Sequence, residues 1–76
     1  MTKVILPELG ENIVKATVSY WFIQLGQNIK EGDDLVELAT DKATFNLPAP
    51  CSGILKKILA QEGDLVNVGQ VLAEIE

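Results

Sequence analysis

Seventy-six residues suffice for one small domain with a thin core, and 47% hydrophobic against 22% charged residues marks a chain that folds. Eleven acids against six lysines, with no arginine and a formal net charge of −5, exclude a basic nucleic-acid footprint. The lone Cys51 and the absence of histidine exclude a disulfide framework and a Cys–His nucleophile, and no apolar run approaches the roughly 20 residues that span a bilayer.

The opening "MTKVILPELG" has too short an apolar run for a signal peptide and none of the Arg-rich character of a transit peptide, so Met1 reads as a start. "KVIL" predicts a first strand. The loop Pro7–Asn12, "PELGEN", is a connector rich in turn formers. "ATVSYWFI" predicts the next strand. In it Val18 and Trp21 are three apart but Trp21 and Ile23 two apart, a break in the period of two that predicts a bulge. "DLVELAT" and "ATFNL" predict two further strands joined by a tight hairpin at Asp41–Lys42. Pro48, Pro50 and Gly53 punctuate the chain before "GILKKIL". That run could pass as a helical turn or two, but the glycines at both ends favour a strand with Lys56 and Lys57 outward. "QVLAEI" predicts a last strand, and the chain stops inside it, as expected of residues 1–76 cut from the front of a longer protein. Cys51 is expected to be a small packed or half-exposed residue in a reducing compartment.

The chain repeats itself. Gln24–Leu38 laid over Gln61–Ile75, an offset of 37, gives five identities in 15 positions: Gln24/Gln61, Gly26/Gly63, Gly32/Gly69, Leu35/Leu72 and Glu37/Glu74. Chance would give about one. Ile29/Val66 and Leu38/Ile75 keep apolar character, as do Val18/Leu55 and Trp21/Ile58 upstream. Two similar halves, each too small to bury its apolar face, would share one core. Its expected members are Val18, Trp21, Ile23, Ile29, Leu35 and Leu38 with Leu55, Ile58, Val66, Leu72 and Ile75. Each G-x5-G unit is expected to make a tight turn on glycines at positive φ. The fold class is therefore all-β, a flattened barrel or sandwich of two antiparallel sheets with an internal pseudo-twofold repeat. By that symmetry the hairpin around Lys42 sits at one pole and the chain termini at the other. Glu37 and Glu74 are repeat equivalents, so a structural role fits them better than a catalytic carboxylate pair. No metal-ligand cluster, nucleophile elbow or phosphate loop is present.

Lys42 poses the question of function, since Asn-Gly or Asp-Gly would make an easier hairpin tip. Either it is an ordinary solvated turn lysine or the turn displays it. Asp-Lys-Ala at the junction of a two-half β repeat, followed by Pro48-x-Pro50-x-x-Gly53, resembles the lipoyl domain. This is the carrier module of the acyltransferase component of 2-oxo acid dehydrogenase complexes. The resemblance covers essentially the whole chain, through "LPELGE", "GDDLVELATDKATF", "LPAPCSGIL" and "EGDLVNVGQVLAEI".

The resemblance implies that Lys42 is joined through its ε-amine to lipoic acid, with Asp41 and Ala43 as recognition flanks. It implies a carrier that is not itself an enzyme. Its implied partners are a thiamin-dependent 2-oxo acid decarboxylase, the acyltransferase core, a flavin-dependent lipoamide dehydrogenase and a lipoate-attaching enzyme, with no nucleic acid and no membrane. Residues Glu8, Leu9, Gly10 and Glu11 belong to a loop that in the family lies beside the lipoyl hairpin and contributes to partner choice. The setting implied is bacterial cytoplasm, or the mitochondrial matrix of a eukaryote, and the flanks lean towards a pyruvate complex. The chain departs from many members at Ala39, three residues before the lysine, where they carry Glu; Glu37 stands too early to replace it. A biotinyl carrier shares the architecture but typically has Met on both sides of the lysine. A glycine-cleavage carrier is longer, and the unmodified hairpin domains of export adaptors do not require Asp-Lys-Ala.

Overall fold

The computed structural model describes residues 1–76 and contains eight strands: β1 (Thr2–Ile5), β2 (Lys15–Trp21), β3 (Asn28–Ile29), β4 (Asp34–Ala39), β5 (Thr44–Pro48), β6 (Gly53–Ile58), β7 (Leu65–Asn67) and β8 (Val71–Ile75). Two four-stranded antiparallel sheets face each other, in the orders β1-β8-β6-β3 and β5-β4-β2-β7. Exchanging β1 with β5, β8 with β4, β6 with β2 and β3 with β7 turns one order into the other. That exchange is the sequence repeat seen in space. Each sheet takes two strands from each half, so neither half has a complete sheet alone.

The symmetry extends to the irregularities. In β2 the register against β4 slips between Val18 and Tyr20, and in β6 the register against β8 slips between Leu55 and Lys57. The extra residues, Ser19 and Lys56, are equivalents in the repeat. The first slip is the bulge expected between Val18 and Trp21. The second explains how consecutive Lys56 and Lys57 are both exposed on one strand. A second pair of slips leaves out Leu35 in β4 and Leu72 in β8, again equivalent positions. There two neighbours in sequence are buried together, Leu35 with Val36 and Leu72 with Ala73, which strict alternation would forbid.

Strands β3 and β7 were hidden in the sequence because each has only two or three residues and lies inside a G-x5-G unit. The four glycines of those units do take positive φ, between 84° and 93°. Their turns are closed by matched side-chain bonds. The Lys30 amide donates to the Asp33 carboxylate at 3.0 Å, and its equivalent Asn67 donates to the Gln70 side chain at 3.1 Å. The Gln24 amide donates to the Gln27 side chain at 3.0 Å, and Gln61 to the Asp64 carboxylate at 2.9 Å.

Eight of the eleven expected core residues are buried: Val18, Ile29, Leu35, Leu38, Leu55, Val66, Leu72 and Ile75. Trp21, Ile23 and Ile58 instead pack against the core from its rim. Trp21 is held there because its indole N–H donates to the Ala60 carbonyl at 2.9 Å. The remaining buried residues are Val4 and Leu6 at the start of the chain, Val36 and four alanines, Ala16, Ala49, Ala60 and Ala73. Cys51 is half-buried against the same core.

Leu35 and Leu72 are fully buried at equivalent bulges, so their truncation should have equivalent consequences. Leu35→Ala and Leu72→Ala are each expected to cost about 2–5 kcal/mol, with the two costs within about 1 kcal/mol of each other. Urea denaturation of both variants measures this. A large cost at one site and almost none at the other would mean that the halves do not share the core evenly.

Candidate functional site

The β4–β5 hairpin is the one connection in the fold without an equivalent in the repeat. Its last ladder pair is Ala39 with Thr44. Counting back through the exchange of strands, the equivalents of these residues are Glu76 and Met1. The chain termini therefore occupy the place in one sheet that the hairpin occupies in the other, and Thr2 pairs with Ile75 beside them.

Four residues make the turn, with Asp41 and Lys42 at its tip. The Thr40 amide donates to the Ala43 carbonyl at 2.8 Å. In a tight primed turn the reciprocal bond would run from the Ala43 amide to the Thr40 carbonyl, and both tip residues would need positive φ in type I′. Here neither Asp41 nor Lys42 has positive φ. The Thr40 hydroxyl stands in for the missing carbonyl acceptor. It accepts from the Ala43 amide at 3.2 Å and the Lys42 amide at 3.3 Å, and donates to the Ala43 carbonyl at 3.0 Å. That is why the tip needs neither glycine nor asparagine: with φ negative at both positions, an ordinary L side chain fits, and lysine can occupy it.

Asp41, Lys42 and Ala43 are all exposed. The Lys42 ammonium has no hydrogen bond or ion pair, whereas Lys56 lies 3.5 Å from the Glu76 carboxylate. Lys3, Lys15, Lys56 and Lys57 stand on strands and Lys30 in the β3–β4 connection, so Lys42 alone occupies a hairpin tip. A free amine on a fixed backbone fits a group attached through an amide, because nothing has to be broken to reach it.

Thr40 is the residue that sequence reasoning missed. Its position before a two-residue tip is the signal that could have found it, since Ser and Thr hydroxyls close turns onto residues two and three places on.

Beside the hairpin lies an open cleft of about 340 Å³. It runs between Thr40–Lys42 and residues 12–17, with Ala39 and Leu65 also in its lining. The loop residues expected beside the lysine divide here. Glu8, Gly10 and Glu11 are exposed but do not line the cleft, and Leu9 is half-buried against the core, so packing accounts for its side chain. Asn12, Ile13 and Val14 line the cleft in their place. Asn12 is the only non-glycine residue at positive φ, 65°, a region that asparagine tolerates better than most residues.

The chain resembles known proteins along nearly its whole length. The profile of the biotin–lipoyl family, described as "Biotin-requiring enzyme", matches residues 2–75. The chain is 44% identical over 75 residues to the dihydrolipoyllysine-residue succinyltransferase component of the 2-oxoglutarate dehydrogenase complex of Bartonella vinsonii subsp. berkhoffii, covering 99% of this chain and 18% of that protein. It is 39% identical over 74 residues to the dihydrolipoyllysine-residue acetyltransferase component of the pyruvate dehydrogenase complex of Corynebacterium glutamicum, covering 97% of this chain and 11% of that one. The solution structure of the lipoyl domain of the 2-oxoglutarate dehydrogenase complex from Azotobacter vinelandii matches with a TM-score of 0.78 at 28% identity, over 97% of this chain and 94% of that domain. The chain thus spans less than a fifth of the length of these two curated relatives. Such relatives come from 2-oxoglutarate and pyruvate complexes alike, so the lean towards pyruvate is not supported.

The bonds at Thr40 set an expected outcome. Thr40→Val keeps the shape but removes the hydroxyl, and should destabilise the domain by about 1 kcal/mol, the net worth of hydrogen bonds that water partly replaces. Thr40→Ser keeps the oxygen and should stay within about 0.5 kcal/mol of the parent. Chemical denaturation reads both. Equal stability of the two variants would show that the hydroxyl does not close the turn.

Proposed function

This chain belongs to the biotin–lipoyl family, and on that premise we propose that it is the lipoyl carrier domain of the acyltransferase component of a 2-oxo acid dehydrogenase complex, with Lys42 as the attachment residue. The observation that carries the reading is the hairpin tip: a free, exposed amine on a turn whose backbone is tied at Thr40 and Ala43. Lipoyl domains carry lipoic acid covalently on a lysine. When bound, that group supplies a cyclic disulfide able to take up an acyl group and two electrons together.

The chain's own residues do the rest. Strand pairing up to Ala39–Thr44 fixes the direction in which Lys42 leaves the surface, so an attaching enzyme meets one shape. Amide formation removes the lysine charge. Attachment to a tethered domain raises the local concentration of the arm at each partner site. The domain itself presents no catalytic constellation in this reading and serves as a carrier.

Asp41 and Ala43 are proposed as the recognition flanks, both exposed beside the lysine. Ala39 lines the cleft below them. Glu8 and Glu11 are proposed as the charged part of a partner-docking loop, since both are exposed on the connection that leads into the cleft. The partners in this reading are a thiamin-dependent decarboxylase, the acyltransferase core, lipoamide dehydrogenase and a lipoate-attaching enzyme. The domain is read as the N-terminal module of a longer acyltransferase chain in a bacterial cytoplasm. For the complex itself we favour 2-oxoglutarate, on the strength of the 44% identical succinyltransferase relative and the matching lipoyl domain.

Incubation with a lipoate-attaching enzyme should add one lipoyl group, and peptide mass spectrometry should locate it on Lys42 and on no other lysine. Lys42→Ala should change stability by less than about 0.5 kcal/mol while abolishing the adduct. An adduct spread over several lysines, or biotin accepted in place of lipoate, would sink the assignment.

The choice of complex has its own test. The lipoylated domain should be acylated faster by a 2-oxoglutarate decarboxylase than by a pyruvate decarboxylase component. Glu8→Gln with Glu11→Gln should slow that acylation and weaken its dependence on salt, as rim charges do, without altering lipoylation. Faster acylation from pyruvate would reverse the proposed preference.

A further inference from the structure

The cleft beside the hairpin has no part in the reading so far, and its composition points to an occupant. Its floor is formed by two small side chains of paired strands, Ala39 and Thr17, and Leu65 flanks Thr17 on the other side. Val14, exposed at 66%, and Leu65, at 58%, give its sides an apolar patch open to solvent, among polar lining residues that include Asn12, Lys15 and Asp41. Val14 is held in place by its carbonyl, which accepts from the Val68 amide at 2.9 Å. Lys42 itself forms part of the lining.

A cleft that begins at the lysine and carries exposed apolar side chains is continuous with whatever that lysine bears. We propose that it is a resting seat for the aliphatic arm of the lipoyl group carried on Lys42, with Val14 and Leu65 as its walls and Ala39 and Thr17 as its floor. The inference rests on the assignment of Lys42 as the lipoyl-lysine.

The physical chemistry makes the seat conditional on modification. The ammonium of unmodified Lys42 keeps its hydration at the exposed tip beside Asp41, whereas drawing it over Val14 and Leu65 would strip that water away. Amide formation removes that charge and adds an apolar chain, so both obstacles disappear together. The seat needs little affinity. A group held by a short flexible tether experiences an effective concentration on the order of millimolar, so even a weak site is occupied for much of the time. Weakness is also what a carrier requires, since the arm must leave whenever a partner site offers more contact. The smallness of Ala39 belongs to the same design: a longer side chain at that position would project into the space above Thr17.

The test compares the unmodified and lipoylated domain by methyl-resolved NMR, after mass spectrometry has located the group. With lipoate on Lys42, the expected result is shifted methyl signals at Val14, Leu65 and Ala39, with nuclear Overhauser contacts from the arm to Val14 and Leu65. Octanoylated Lys42, which has the chain without the disulfide, should give the same contacts. Leu65→Asn and Ala39→Glu, both at solvent-accessible positions, should remain folded and lipoylated but lose the contacts. Lipoate on Lys42 with shifts confined to residues 40–43 would overturn the seat and leave the carrier reading intact. Lipoate on a different lysine would overturn both.

Discussion

Two backbone hydrogen bonds hold the architecture's central constraint. The Gly26 amide donates to the Leu55 carbonyl at 2.8 Å, and the Gly63 amide donates to the Val18 carbonyl at 2.7 Å. They are the same bond seen from each half. In each, a turn of one half is fastened to the long strand of the other, which brings β3 alongside β6 and β7 alongside β2. Only with this exchange is each sheet completed and each apolar face covered. The bulges at Ser19 and Lys56 lie in the same two strands, each one residue past the carbonyl that accepts this bond.

The same exchange leaves one connection free of symmetry. Every turn that the repeat duplicates is constrained by glycine, by a capping side chain, or by both. The β4–β5 hairpin joins the halves and duplicates nothing, so its residues answer only to local turn chemistry. Thr40 meets that demand with its hydroxyl. Asp41, Lys42 and Ala43 are then free of packing duties, which is the condition under which a residue can be kept for what it presents to others.

Much of this was legible in the sequence because it was written twice. The offset of 37 exposed the halves, the glycine turns and eight core residues, and the broken spacing from Val18 to Ile23 exposed a bulge. What escaped was written once or in very few letters. β3 and β7 are too short to show alternation. Ala16 and Ala73 on strands, and Ala49 and Ala60 just past strand ends, are buried, and alanine has no pattern of its own. Trp21 read as a core residue from its bulk, yet its indole N–H needed the Ala60 carbonyl and drew it to the rim. At the site, Lys42 was visible through its position in the repeat. Thr40 and the cleft were not, because the first depends on one hydroxyl's direction and the second on residues that meet only after folding.

The interleaving of the halves also governs how the domain comes into being. A contact between Val18 and Gly63, or between Gly26 and Leu55, closes a long loop before it returns any burial, and such non-local pairings slow folding. Neither half gains from ordering first, because half a sheet has no partner to cover it. A chain so interleaved is expected to pass between unfolded and native states as one cooperative unit, as small single domains usually do. For Lys42 this means that the turn is held in its final shape only while β4 and β5 are held in the sheet. A modifying enzyme that reads shape is thereby also reading whether the domain has finished folding.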